Sequence, residues 1–267
     1  MRLEVISRLP ARGGGVPLLF VHGAYGGAWV WDQHFLPYFA EHGFAAHALS
    51  LRGHGASEGW ETLPFARLKD YVADVLNVAA SLPSSPVLIG HSMGGMVVQK
   101  ALQQRPFPAA VLMASVPPHG LAGSMLQMAF TSPTLFAEMS TVQALGPAVA
   151  NGYLARKALF SDELDDQRVD EYLRRFQPES NLVILDLLGF DLPTSRPNLN
   201  LPVLVLGARN DSFVFEGAVR ATAEAFGTQA AFFDGVAHAM MLDHAWENVA
   251  KHILAWLKAT LPKGRTN

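Results

Sequence analysis

Short, nearly uninterrupted apolar runs alternate along the chain with longer stretches whose apolar residues recur every three or four positions. The runs predict strands at Leu3–Arg8, Pro17–His22, Phe44–Leu49, Pro86–Gly90, Ala110–Ala114, Val203–Leu206 and Ala230–Phe233. The periodic stretches predict helices at Trp31–His42, Phe65–Ser81, Met93–Gln104, Glu216–Phe226 and His244–Leu257. A run without a polar face suits a strand covered on both sides, and strands alternating with helices build a parallel sheet flanked by helices. The fold class is therefore α/β, with a mostly parallel central sheet and helices on both faces.

The alternation stops between about Pro117 and Pro202. This segment opens on PPHG, closes on LPTSRPNLNLP and carries helical patterns without a convincing strand. It reads as a helical insertion, residues 118–201, between core segments 1–117 and 202–267. Its first half is apolar, with Leu121, Met125, Leu126, Met128, Phe130, Leu135, Phe136 and Met139. The later SDELDDQRVDEYLRR is charged and reads as a solvated helix.

Composition narrows the classes. A chain of 267 residues, 50% hydrophobic, is long enough for one large core. The net charge of -3 is spread without a long single-sign run, which argues against nucleic acid or a polybasic membrane contact. The first residues, MRLEVISRLPARGGG, lack the apolar core of a signal peptide, and no uncharged run reaches membrane-spanning length. The expectation is a cytoplasmic protein without an integral membrane segment. With no cysteine, disulfides, thiolate metal sites and cysteine nucleophiles are excluded. The sequence does not fix the oligomeric state.

The chemistry concentrates in Gly90-His91-Ser92-Met93-Gly94, a G-x-S-x-G placed between an apolar run and the helical MVVQKALQQ. Flanking glycines permit a sharp strand-to-helix turn that exposes the serine hydroxyl, and the helix N-terminus points its amides at the same space. Such a serine needs a base and an orienting carboxylate, in the chain order Ser, acid, His. Val203–Asp211 is an apolar run ending in an acid, and Phe232–His238 ends in a histidine. His238 is the best base. His47 sits in a predicted strand, His34, His42, His244 and His252 lie on helical patterns, and His119 precedes any acid in the required order. Asp211 leads for the acid by elimination. Asp234 suits a turn or salt bridge, Ala114-Ser115-Val116 offers no carboxylate, and Asp186 and Asp191 lie in the insertion.

On these motifs the chain resembles the α/β-hydrolase superfamily over nearly its whole length. Carrying the resemblance are His22-Gly23, the turn Leu51-Arg52-Gly53-His54-Gly55-Ala56-Ser57, the Ser92 motif and the Asp211 and His238 loops. The resemblance implies Ser92 as nucleophile, His238 as general base and Asp211 as orienting acid. It also implies backbone amides of Ala24 and Met93 as an oxyanion hole, with no cofactor and no metal. His54 is expected to stabilise its loop, and His22 and His91 to pack beside the site. Ser50 and Phe215 depart from the aspartate and proline common in relatives. The insertion takes the role of a cap, with Leu121, Met125 and Met128 either as an acyl-binding wall or as residues that seat the cap on the core, and Tyr25 packing within reach of substrate. Trp29 and Trp31 are expected to pack. The leading expectation is a carboxylesterase or lysophospholipase-like enzyme acting on a small, apolar acyl substrate. The same triad also serves C–C bond hydrolases, thioesterases, hydroxynitrile lyases and perhydrolases, and a catalytically silent ligand receptor is the non-enzyme alternative.

Overall fold

The computed structural model describes residues 1–12, 15–194 and 200–261. All the predicted strands form, as β1 Val5–Arg8, β2 Leu18–Val21, β3 Ala46–Leu49, β4 Val87–His91, β5 Ala110–Met113, β6 Val203–Ala208 and β7 Ala230–Phe233. They make one sheet in the order β1-β3-β2-β4-β5-β6-β7. Only β1 pairs antiparallel, with Val5 opposite Leu49, and every other neighbour is parallel. Strands β2 to β6 are buried along their whole length, as unbroken apolar runs require.

The period-two alternation of a strand sends successive side chains to opposite faces. In β2, Leu18 and Phe20 join one core with Trp31, Phe35, Phe39, Val249 and Ile253. Leu19 and Val21 join the other with Tyr71, Val75, Met96, Val97 and Val219. The first core is covered by α1 Trp29–Asp32, α2 Phe35–Glu41 and α11 Trp246–Thr260, the second by α3 Leu68–Ser81, α4 Met93–Leu102 and α10 Glu216–Ala225. The helix expected at Trp31–His42 is split. Pro37 has no N–H for the carbonyl of Gln33 and would clash with it, so the chain breaks at His34 (φ -140°) and restarts with the proline in its first turn. The helix expected from Phe65 starts at Leu68, because Phe65 closes a 3-10 turn, Trp60–Phe65.

Between β5 and β6 run α5 Ala122–Thr131, α6 Pro133–Leu145, α7 Gly152–Leu159, α8 Asp166–Leu173 and α9 Asn181–Leu185, with no strand among the described residues. The centre of LPTSRPNLNLP, residues 195–199, lies outside them. The charged helix α8 is solvated except for Val169 and Tyr172, which reach the core. No helix among the described residues is long and apolar enough to cross a membrane.

Candidate active site

Ser92 stands between β4 and α4 with φ 53° and ψ -119°, a conformation that non-glycine residues rarely adopt and that marks functional turns. The surrounding glycines act by close approach. A Cβ on Gly94 would sit 2.4 Å from the backbone oxygens of Val21 and His22, and one on Gly90 would sit 2.4 Å from Gly94 O. The turn is thereby pressed onto the end of β2. It is also tied sideways, because Ser92 N–H donates to Met113 O at 3.0 Å and Val116 N–H to Ser92 O at 3.1 Å.

The loops after β6 and β7 bring an acid and a histidine to this hydroxyl in series. His238 Nε2 lies 3.0 Å from Ser92 Oγ, and His238 Nδ1 lies 2.8 Å from Asp211 Oδ2. An ionised carboxylate only accepts, so Nδ1 carries the proton and Nε2 presents its lone pair to the serine. The other oxygen of Asp211 accepts from the N–H groups of Phe213 at 2.8 Å and Val214 at 2.9 Å, which fixes the carboxylate. Asp234 is 85% exposed and pairs with Arg209 at 3.2 Å, away from the histidine.

His91 lines the cavity beside Ser92, and His22 is fully buried behind Gly23. Burial, then the neighbouring His54, holds the pKa of His22 down to about 3. Its neutral ring donates from Nδ1 to Gly23 O at 2.8 Å and accepts Leu51 N–H on Nε2 at 3.0 Å. Burial and the nearby His238 likewise keep His91 well below the ordinary histidine value. Its Nε2–H donates to the carbonyl of His238 at 2.9 Å. A Cβ on Gly23 would meet His91 Nδ1 at 2.9 Å and Ser92 Cβ at 3.0 Å, so glycine lets the next residue, Ala24, approach the serine. Met93 opens α4, and its N–H is one of the donors a helix start leaves without an intrahelical acceptor.

Ser92, His238, Ala24 and Met93 line a cavity of about 890 Å³, together with Tyr25, Leu121, Met125 and Met128. Its wall is mainly apolar, and Phe213 adds a ring 4.9 Å from that of His238. Tyr25, at φ 64°, donates its hydroxyl to Gln143 Oε1 at 2.5 Å. His119 is exposed and does not line the cavity. Trp31 packs on Phe20 and Phe35, and Trp29 on Tyr172 and Phe176, with Arg175 stacked 4.2 Å above its ring. Among the described residues no group of three or more His, Asp or Glu is arranged to hold a metal.

Besides Asp74, buried on Arg52, two further buried acids escaped the sequence reading. Glu179, from the insertion, accepts the hydroxyl of Tyr71 at 2.5 Å and lies 3.3 Å from His54 Nε2, both side chains without exposure. Asp243, fully buried, sits five residues beyond His238. Asp186, in the insertion, is buried with its carboxylate bonded to Arg67 and to Leu68 N–H, not to the base.

A seven-stranded, mostly parallel sheet with a strained serine after a central strand defines an α/β hydrolase architecture. The alpha/beta hydrolase family model matches residues 18–252, and the chain belongs to that family. The chain is 35% identical over 108 residues to a non-heme chloroperoxidase of Streptomyces lividans, across 39% of this chain and 38% of that protein. It is 35% identical over 109 residues to the "Probable esterase PIR7A" of Oryza sativa subsp. indica, across 39% and 41%. The chain thus spans about two-fifths of these relatives' length. The esterase of Exiguobacterium antarcticum superposes with a TM-score of 0.76 at 16% identity, covering 96% of this chain and 95% of that one, a likeness of fold.

Proposed function

We propose that the protein is a cofactor-independent serine hydrolase of carboxylic esters with apolar acyl groups, a carboxylesterase or lysophospholipase-like enzyme. The observation that carries this reading is the unbroken chain from Ser92 through His238 to Asp211, at 3.0 and 2.8 Å, opening on an apolar cavity. His238 Nε2 takes the proton of Ser92 as Oγ attacks the ester carbonyl. The N–H groups of Ala24 and Met93 receive the oxyanion, and Asp211 stabilises the imidazolium. His238 then protonates the departing alkoxide, and water, activated by the same nitrogen, frees the acid from Ser92. In this reading residues 118–201 act as a cap, whose Leu121, Met125 and Met128 hold the acyl chain while Tyr25 faces the substrate near the oxyanion. A cavity of this size suits a small ligand with an apolar body.

A fluorophosphonate probe is expected to label the wild type and to leave Ser92→Ala untouched. Equal labelling of both, or of neither, overturns the assignment. The chloroperoxidase relative favours a second reading, in which hydrogen peroxide instead of water attacks the acyl-enzyme and releases a peracid and free Ser92. Peroxide-dependent halide oxidation in the presence of acetate, lost in Ser92→Ala, separates the two.

A further inference from the structure

The base of the proposed triad sits on the loop from Phe233 to Trp246, where no regular element holds it. Three consecutive residues are nevertheless tied. Ala237 N–H donates to Asp243 Oδ2 at 2.6 Å, the carbonyl of His238 accepts from His91, and Ala239 N–H donates to Leu159 O at 2.9 Å. Leu159 belongs to α7 of the insertion. Two residues on, Ser161 meets Asp243 across 82 positions of sequence, N–H to Oδ2 at 2.9 Å and Oγ–H to Oδ1 at 2.6 Å. His244 N–H completes the set on Oδ1 at 2.8 Å.

Asp243 is therefore an acceptor for four donors, two on each oxygen, with no exposure to solvent. A carboxylate has the lone pairs for this, whereas an asparagine would turn its NH₂ onto two of the donors. None of the four bonds reaches the imidazole, so Asp243 is not the orienting acid. What it fixes is the backbone on the N-terminal side of His238, with His91 and Leu159 fixing the rest.

We propose that Asp243 is the positioning residue for His238, and that it works through Ser161, so the insertion takes part in placing the base. The proposal rests on His238 being that base. The segment Leu159–Ser161 is held in place with the base, so the insertion cannot lift there without carrying the histidine away from Ser92.

The test is the rate of fluorophosphonate labelling, with kcat and KM for a p-nitrophenyl ester, in Asp243→Asn, Ser161→Ala and Ser161→Thr. Asp74→Asn is the control, a buried acid bonded to Arg52 at 2.7 Å, whose loss lowers stability alone. A displacement of about 1 Å costs about a hundredfold in rate. Asp243→Asn should label and turn over about that much more slowly, with kcat falling while KM holds. Ser161→Ala should lose less, Ser161→Thr should recover the rate, and Asp74→Asn should label as the wild type does. Wild-type rates in Asp243→Asn overturn the proposal, as does slowing in Asp74→Asn of the same size. If Asp243→Asn does not fold, Ser161→Ala decides, and a wild-type rate there overturns the proposal, since Asp243 is held to work through Ser161. A wild type that the probe does not label, or labels equally in Ser92→Ala, removes the base assignment and this proposal with it.

Discussion

At the scale of single residues, the arrangement separates groups by what they face. Asp211 and Asp234 each follow a strand ahead of the histidine, yet only Asp211, 27 positions away, is buried on the ring. Asp211→Asn would present a donor to Nδ1 and favour the wrong tautomer, an effect worth about 10⁴ in kcat in triads of this kind. Asp234→Asn should leave esterase turnover within twofold or so, since an exposed ion pair contributes little. A severe loss in Asp234→Asn with little in Asp211→Asn would reverse the assignment. Gly94→Ala sets a Cβ against two backbone oxygens that cannot give way, and should cost about 3 kcal/mol or more by chemical denaturation. Gly123→Ala, with nothing within 4 Å and a helical backbone, should instead gain about 0.5–1 kcal/mol. Ser92 and His238 were legible because a motif and a chain order name them. Asp243 and Glu179 were not, since each owes its meaning to a partner, Ser161 or His54, that only the fold brings opposite.

Among the elements, strands were the easiest to read, because burial on both faces leaves an apolar run that no surface helix carries. Helix ends were harder: Pro37 lies inside a continuous helical pattern, and reading the break there needs the missing N–H to be counted, not the periodicity. The insertion was legible as helices but not as contacts. Its α5 turns Met125 and Met128, four and seven positions after Leu121, toward the cavity, while Leu126 and Phe130, off that face, are exposed. If these helices set the substrate, Met125→Trp should fill part of the acyl space without opening a void around the buried Met128. Octanoyl and acetyl esters differ by about six methylenes, each worth about 0.8 kcal/mol when buried. Excluding two of them should lower kcat/KM for the octanoyl ester about tenfold and leave the acetyl ester unchanged. An equal change for both esters would detach α5 from acyl selection.

Across the whole molecule, the insertion is moored to the core mainly through its second half. Asp186 takes Arg67 and Leu68, Ser180 donates its hydroxyl to Ala66 O at 2.7 Å, and Lys100 reaches Asp191 at 2.6 Å. Glu179 and His54 form the most deeply buried of these ties. Burial, the largest single influence on each, would neutralise both, but charge and hydrogen bonds together outweigh it: Glu179, with the backbone of Arg52 and Pro178, raises the pKa of His54, and His54, with Tyr71 and Ser180, lowers that of Glu179. The neighbouring His22 stays neutral, and burial with the charge of Glu179 raises the hydroxyls of Tyr71 and Tyr25, so neither offers a competing charge. The sign of the pH dependence follows. Stabilisation from His54, raised above 6.5, is complete below that pH and fades as pH climbs through its folded value. Stabilisation from Glu179, lowered below 4.5, is complete above that pH and fades as pH falls through its folded value. The pair therefore contributes most between pH 4.5 and 6.5. Glu179→Gln should cost about 2–3 kcal/mol in that window, the scale of buried hydrogen bonds to a charged group. The difference from wild type, followed by urea denaturation at a series of pH values, should shrink on the alkaline side as His54 loses its proton. A difference that stays constant from pH 5 to pH 9 would mean that His54 is neutral throughout, and that the mooring is one of shape and hydrogen bonding, with no ion pair in it.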